Sequence, residues 1–185
     1  NLGIVRMPDG VIRDGEVEDG VALAESLKEL WAKTGIKGKS VILGIANQRV
    51  IVRPIELPYM EKEELDNALR FQVQEFIPIP IEDAILDFDI IEEFMTADEE
   101  RMLTVLLVAA HKDMIQSFTE VRKSAGLTLA AIDLKAFALA RSLIPLGVLQ
   151  GGYEEGEAIC LINVGAGMTN IAILKDNVPR FARFL

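Results

Sequence analysis

The spacing nearest to phosphate chemistry in this 185-residue chain is Asn163-Val164-Gly165-Ala166-Gly167-Met168-Thr169. Two glycines between strand-like flanks let backbone N–H groups converge on an anion, and the Thr169 hydroxyl would add a donor. The same residues also suit an ordinary glycine hairpin, and both readings stand at this level. The segment is no dinucleotide fingerprint, because the β-like run Thr169–Leu174 follows where a helix would have to start. Gly35-Ile36-Lys37-Gly38-Lys39-Ser40 imitates a phosphate loop. However, Lys33 stands where its first glycine belongs, and the segment leads into a strand, so it reads as a surface turn.

Other reactive residue types are sparse. His111 is the only histidine, which excludes a histidine pair or a polyhistidine metal site. Cys160 lies in an apolar strand pattern and is expected to be a small buried hydrophobe. Glu61, Glu63 and Glu64 open a helix and complement its dipole. Asp87 and Asp89 share one face of a strand, an arrangement that could hold a cation but reads first as a solvated strand face. Phe71 falls away from the apolar stripe of its helix, among Arg70, Gln72 and Gln74. It reads either as part of a peptide-binding surface or as a contact with a neighbouring subdomain.

Composition narrows the function classes. Net charge is −10 with a pI near 4.7, and the nineteen basic residues are dispersed, so no stripe exists to follow a nucleic-acid backbone. A polybasic membrane-surface patch is missing for the same reason. One cysteine permits no intrachain disulfide, which fits a cytosolic setting. The apolar runs Met102–Ala110 and Leu127–Ile132 are too short to span a bilayer, and no direct membrane insertion is expected. No signal-peptide pattern is read at the start. The opening at Asn1 and the ending within an apolar strand lead to the expectation of a piece of a longer protein.

Periodicity supplies the elements that would position these residues. A strand at Leu2–Met7, the turn Pro8-Asp9-Gly10 and a short strand at Val11–Arg13 come first. A helix capped by Asp19 runs to about Lys33, and Ser40–Ala46 reads as a buried strand. Then follow a strand at Val50–Glu56, a helix at Glu61–Phe76 closed by Pro78 and Pro80, and an alternating strand at Ala84–Ile91. A strand at Met102–Ala110, a helix at Lys112–Ser124 and a strand at Leu127–Ile132 complete a β-α-β-β-α-β order. A helix at Lys135–Ile144 and a glycine-bearing loop near Gly151-Gly152 lead to strands Ala158–Asn163, Thr169–Lys175 and Val178–Leu185.

Several of these segments carry a family resemblance. Arg53-Pro54-Ile55-Glu56-Leu57-Pro58, followed by Glu64-Leu65, Leu69-Arg70, Gln74-Glu75 and Ile77-Pro78-Ile79-Pro80, resembles the signature of the PilM type. So does Leu86-Asp87 entering the next strand. Asn163–Ile171 and Asp176-Asn177-Val178-Pro179-Arg180-Phe181 resemble that family's second phosphate loop and the strand after it. Asp133 and Ala138-Leu139-Ala140-Arg141 match the helix that rejoins the core. The resemblance covers nearly the whole chain in order.

The resemblance implies a mixed α/β (α+β) fold. An actin-like, ribonuclease H-like core subdomain, residues 1–46 and 127–185 and incomplete, would carry an inserted β-α-β-β-α-β subdomain of the FtsA/PilM type at 47–126. It implies a cytoplasmic adaptor of type IV pilus assembly, peripheral to the inner membrane. Such a protein would bind the N-terminal tail of a PilN-like membrane protein and link it to the pilus motor ATPase. Arg53, Glu56, Arg70 and Phe71 are the expected peptide-binding residues, at the junction of core and insertion. Asn163, Gly165, Ala166, Gly167 and Thr169 are the expected nucleotide-side residues. The first phosphate loop and the second half of the fold are missing, and many relatives have an aspartate where Asn163 stands. No cofactor is therefore expected on these residues, with ATP and Mg²⁺ left to the intact protein. The rival readings are an actin-like ATP hydrolase and an FtsA-like cell-division protein.

Overall fold

The chain is seen in a computed structural model that describes residues 2–144, 156–165, 167–176 and 178–185. Local chemistry accounts for its opening elements. Strands β1 (Ile12–Arg13) and β2 (Glu16–Val17) form a hairpin around Asp14-Gly15, both at positive φ, as a two-residue hairpin turn requires. The expected strand at Leu2–Met7 does not form. That segment stays outside any ladder, and its Gly3 lies so close to Thr34 that a Cβ would meet the side chain at 2.2 Å. Pro8-Asp9-Gly10 does turn the chain, but the positive-φ pair six residues on makes the hairpin.

Helix α1 (Gly20–Thr34) begins where the Asp19 carboxylate accepts from the N–H groups of Val21 at 3.0 Å and Ala22 at 2.9 Å. Gly35, at φ 63°, ends it by donating to the Trp31 carbonyl. β3 (Ser40–Ile45) follows, and then the chain departs into a separate layer.

In that layer β4 (Val50–Pro58), β5 (Ala84–Met95) and β6 (Arg101–His111) form an antiparallel sheet with β6 in the centre. Helix α2 (Lys62–Gln72) covers one face. Strand alternation sorts the side chains. Ile51, Ile55 and Leu57, with Leu103, Val105, Leu107, Leu86 and Phe88, pack against Leu65, Leu69 and Val73. The residues of opposite parity, Val50, Val52, Val108 and Ala110, turn to the core on the other side. β6 is therefore packed on both faces.

Helix α3 (Lys112–Ser124) carries Phe118 and Val121 against Leu23, Ala24 and Leu27 of α1, and Met114 and Ile115 into the main core. β7 (Thr128–Leu134) then pairs in parallel with β3, Ser40 opposite Thr128 and Ile45 opposite Leu134. A parallel pair needs a crossover, and α3 is its return helix. The β-α-β-β-α-β order is present along the chain, but its members divide differently in space. The three strands β4, β6 and β5 make the insertion's sheet, whereas α3 packs on α1 and β7 on β3.

Helix α4 (Lys135–Leu143) leads from β7 towards an antiparallel meander of β8 (Ala158–Val164), β9 (Thr169–Lys175) and β10 (Val178–Phe184). The glycine-bearing loop expected near Gly151-Gly152 lies outside the described residues. Ala172, Leu174, Ala182 and Phe184 join Ile45, Leu134, Ala136 and Ala140 in one apolar cluster. The pair β3–β7 and the meander β8–β10 share this cluster with Val50, Ala110, Met114 and Ile115, but they are separate sheets. Cys160, expected to be buried, is exposed: Ile159 and Leu161 take the inward parity of β8, which leaves Cys160 outside with Ile162.

Candidate functional site

The glycine loop between β8 and β9 is tightly closed. The Gly165 N–H donates to the Met168 carbonyl at 3.0 Å, and a Cβ on Gly165 would lie 2.7 Å from that oxygen. Thr169 exchanges backbone hydrogen bonds with Leu185, at 2.8 and 2.9 Å. Gly167 faces open space, Asn163 is exposed and pairs across the ladder with Asn170, and Ala166 lies outside the described residues. The Gly165 donor is already used within the loop. Among the described residues the loop's one backbone bond of this kind is internal, from Gly165 to Met168.

The four residues expected to bind a peptide do not share one face: Arg53, Arg70 and Phe71 lie on the α2 side of the insertion's sheet, and Glu56 on the other. Arg53 has the parity of Ile51 and Ile55, so it turns to the α2 side, where its Nη1 donates to the Phe76 carbonyl at 3.0 Å. Arg70 is paired with Asp66 one helical turn back, at 3.1 Å. Phe71 is 87% exposed on α2 and packs against no neighbouring subdomain among the described residues. Glu56 is exposed on β4, opposite Thr104, with the parity that faces away from α2.

The concavity between insertion and core opens on the opposite face of the insertion's sheet. It is a groove of about 1130 Å³. One wall is β5 from Ile85 to Ile91, with Leu106, Val108 and Ala110 of β6. The other is Ala131–Leu134 of β7, then Phe137, Ala140 and Arg141 of α4, and Val178 and Pro179 at the start of β10. Among the described residues β5 is an edge of its sheet and β7 pairs only with β3, so two strand edges without a described partner border the groove.

Charge within the groove is unevenly paired. Arg141 bonds Asp133, its neighbour across the β7–α4 junction. Asp87 and Asp89 come from β5, with the parity of Val108 and Leu106 that faces the groove. At one end Arg180 bonds Glu92 at 2.6 Å, across 88 residues of sequence. Both partners owe their orientation to irregular ladders, since β5 shifts register between Ile90 and Glu92 and β10 between Pro179 and Phe181. Each bulge turns a side chain that regular alternation would have sent elsewhere.

The sequence shows Asp87 and Asp89 on one strand face, and nothing in it marks the walls around them. Ile85, Ile132 and Phe137 carry no motif. They become a site only because β5, β7 and α4 converge. The alternation of Ile85, Asp87 and Asp89 was the available signal, and it did not say which structure this face would meet.

The model of the family described as type IV pilus assembly protein PilM matches residues 1–184. A solved PilM–PilN type IV pilus biogenesis complex is similar at 29% identity and a TM-score of 0.79, over 96% of this chain and 52% of that one. The cytoplasmic domain of EpsL, an inner-membrane component of the Vibrio cholerae type II secretion system, shares the fold at 15% identity. Its TM-score is 0.51, over 88% of this chain and 56% of that one. A Bacteroides thetaiotaomicron protein with an actin-like ATPase fold and unknown function matches at 13% identity and a TM-score of 0.41, over 91% and 57%. The chain spans about half the length of these solved structures.

Proposed function

Because this chain belongs to the type IV pilus assembly protein PilM family, we propose that it serves as an assembly adaptor in which the groove between insertion and core takes an extended peptide. The occupant is the cytoplasmic N-terminal tail of a PilN-like inner-membrane protein, and the adaptor links that protein to the pilus motor. The observation that carries this reading is the groove itself: a long, mostly apolar channel bordered by two unpaired strand edges. Unpaired edges offer backbone donors and acceptors in a row, which an extended chain satisfies, while apolar lining holds alternate side chains. The PilM–PilN complex among the similar structures supports a partner of that kind. Nucleotide binding by these residues alone is weak or nil in this reading, since the glycine loop leaves few donors free.

The test is fluorescence anisotropy with a labelled N-terminal peptide of the PilN-like protein encoded with this chain. Ile132 is 37% exposed on the β7 wall, so Ile132→Asp disturbs the groove more than the core. It is expected to weaken binding about tenfold or more, as loss of a central apolar contact does. Phe71→Ala and Arg70→Ala, on the far side of the insertion, are expected to bind like the parent. Loss of binding in those two with Ile132→Asp unaffected would move the site to α2. No binding by the parent would remove the adaptor reading.

A further inference from the structure

The groove has a sign. Among its lining residues Asp87, Asp89 and Asp133 stand against Arg141, three carboxylates to one guanidinium, which leaves two negative charges in excess. The arginine does not neutralise the β5 wall, because it is engaged by Asp133. The other cation at the groove's end, Arg180, is engaged by Glu92. Asp87 accepts from the N–H of its own neighbour Phe88 at 2.9 Å, and Asp89 has no polar partner among the described residues. Two uncompensated carboxylates therefore sit on the strand whose edge is open.

We propose that Asp87 and Asp89 determine the specificity of the groove, by selecting a peptide that carries a lysine or arginine side chain facing β5. This rests on the groove being the peptide site, and it adds which peptide the site accepts. Geometry and electrostatics agree. Residues two apart on a strand repeat at about 6.6 Å, so the two carboxylates form a short anionic rail along the β5 edge. A peptide lying along that edge has the same repeat, and a basic side chain of matching parity reaches one or both carboxylates. The remaining lining, Ile85, Ile132 and Phe137, receives apolar side chains of the same segment. The rail also excludes. An acidic or uncharged strand that pairs with β5 would bury carboxylates without compensation, which is how charged edge residues reject wrong partners.

The experiment uses this chain and the labelled N-terminal peptide of the PilN-like protein, with each basic residue of the peptide replaced in turn by Gln. In the protein, Asp87→Asn and Asp89→Asn are made singly and together. Asparagine keeps the acceptor that Phe88 uses, and both sites are exposed, so folding is expected to persist; a thermal melt checks it. The double variant is expected to bind about tenfold more weakly than the parent at low salt, with the difference shrinking as salt rises. At least one Lys or Arg to Gln peptide should lose affinity for the parent and lose no more for the double variant. Asp89→Lys should in turn favour a peptide with Glu at that position. Unchanged affinity for the double variant while Ile132→Asp still abolishes binding would overturn the charge selection and leave the groove standing. Parent-like binding by Ile132→Asp would remove the groove, and the inference with it.

Discussion

At the scale of single residues, Arg49 holds three segments together. Its Nη2 donates to both oxygens of Asp113 at 2.7 Å, at the start of α3, and its Nη1 to Glu16 of β2 at 3.1 Å. Buried Asn47 completes the joint. Its side-chain oxygen accepts from the Arg49 N–H at 2.6 Å, and its Nδ2 donates to the Asp14 carbonyl at 2.7 Å. Gly15 is required here, since a Cβ would lie 2.1 Å from the Ala46 carbonyl oxygen. The hydrogen bonds from Arg49 hold the Asp113 carboxyl below its ordinary value of 3.8. The Met114 N–H assists, and partial burial opposes more weakly than Arg49 acts. A carboxyl with a depressed folded value stabilises the fold fully above the ordinary range, and that stability is lost as pH falls below about 4. Asp113 is largely exposed, so screening limits the pair to about 0.5–1 kcal/mol. Urea unfolding of the parent and of Arg49→Met should differ by about that amount at pH 7 and converge near pH 3. A difference that persists undiminished at pH 3 would show that packing, not charge, is what Arg49 contributes.

At the scale of elements, the insertion's stability comes from α2 closing one face of the sheet. Leu65 is fully buried there, and Leu65→Ala should cost about 3 kcal/mol in chemical denaturation. Phe71, two turns along on the solvent side, should tolerate Phe71→Ser within about 0.5 kcal/mol. Equal losses at the two sites would mean that α2 is not held by the stripe that runs through Leu65, Leu69 and Val73. That stripe was legible in the sequence, and so were both ends of α1 and the bounds of α3, because caps and helical spacing are local signals. Phe71's departure from the stripe was equally legible. What escaped was whatever depends on a distant partner. The apolar alternation of β8 gives no hint of which parity is covered, so Cys160 was placed on the wrong side. Leu2–Met7 has strand-like residues but pairs with none of the described strands. The groove was the least legible feature, since β5, β7, α4 and β10 meet across as many as 88 residues and two bulges decide how Arg180 and Glu92 face each other.

At the scale of the whole molecule, three sheets share one apolar cluster, and the chain leaves the β3–β7 sheet to complete β4–β6 before it returns. The insertion is built into the crossover that joins β3 to β7, and Arg180–Glu92 ties it again to the terminal meander. No described helix is long and apolar enough to cross a membrane. The parallel pairing of β3 with β7 also has a consequence in time. Ser40 meets Thr128 across 88 residues, whereas β5 and β6 meet across a short turn in which the Thr96 N–H bonds the Glu100 carbonyl at 2.9 Å. Each doubling of a closing loop costs about 0.6 kcal/mol of chain entropy, so near neighbours meet early and β3 must wait for β7. Pulse-labelled hydrogen exchange during refolding should protect the β5–β6 amides first and those of β3 and β7 last, and simultaneous protection of both sets would refute that order. The strand that carries the anionic rail would then be in place before the wall opposite it. During synthesis or refolding there is an interval in which the β5 edge is complete, uncovered and open to any extended segment, and throughout that interval two like charges are what keeps a second copy of the same strand away.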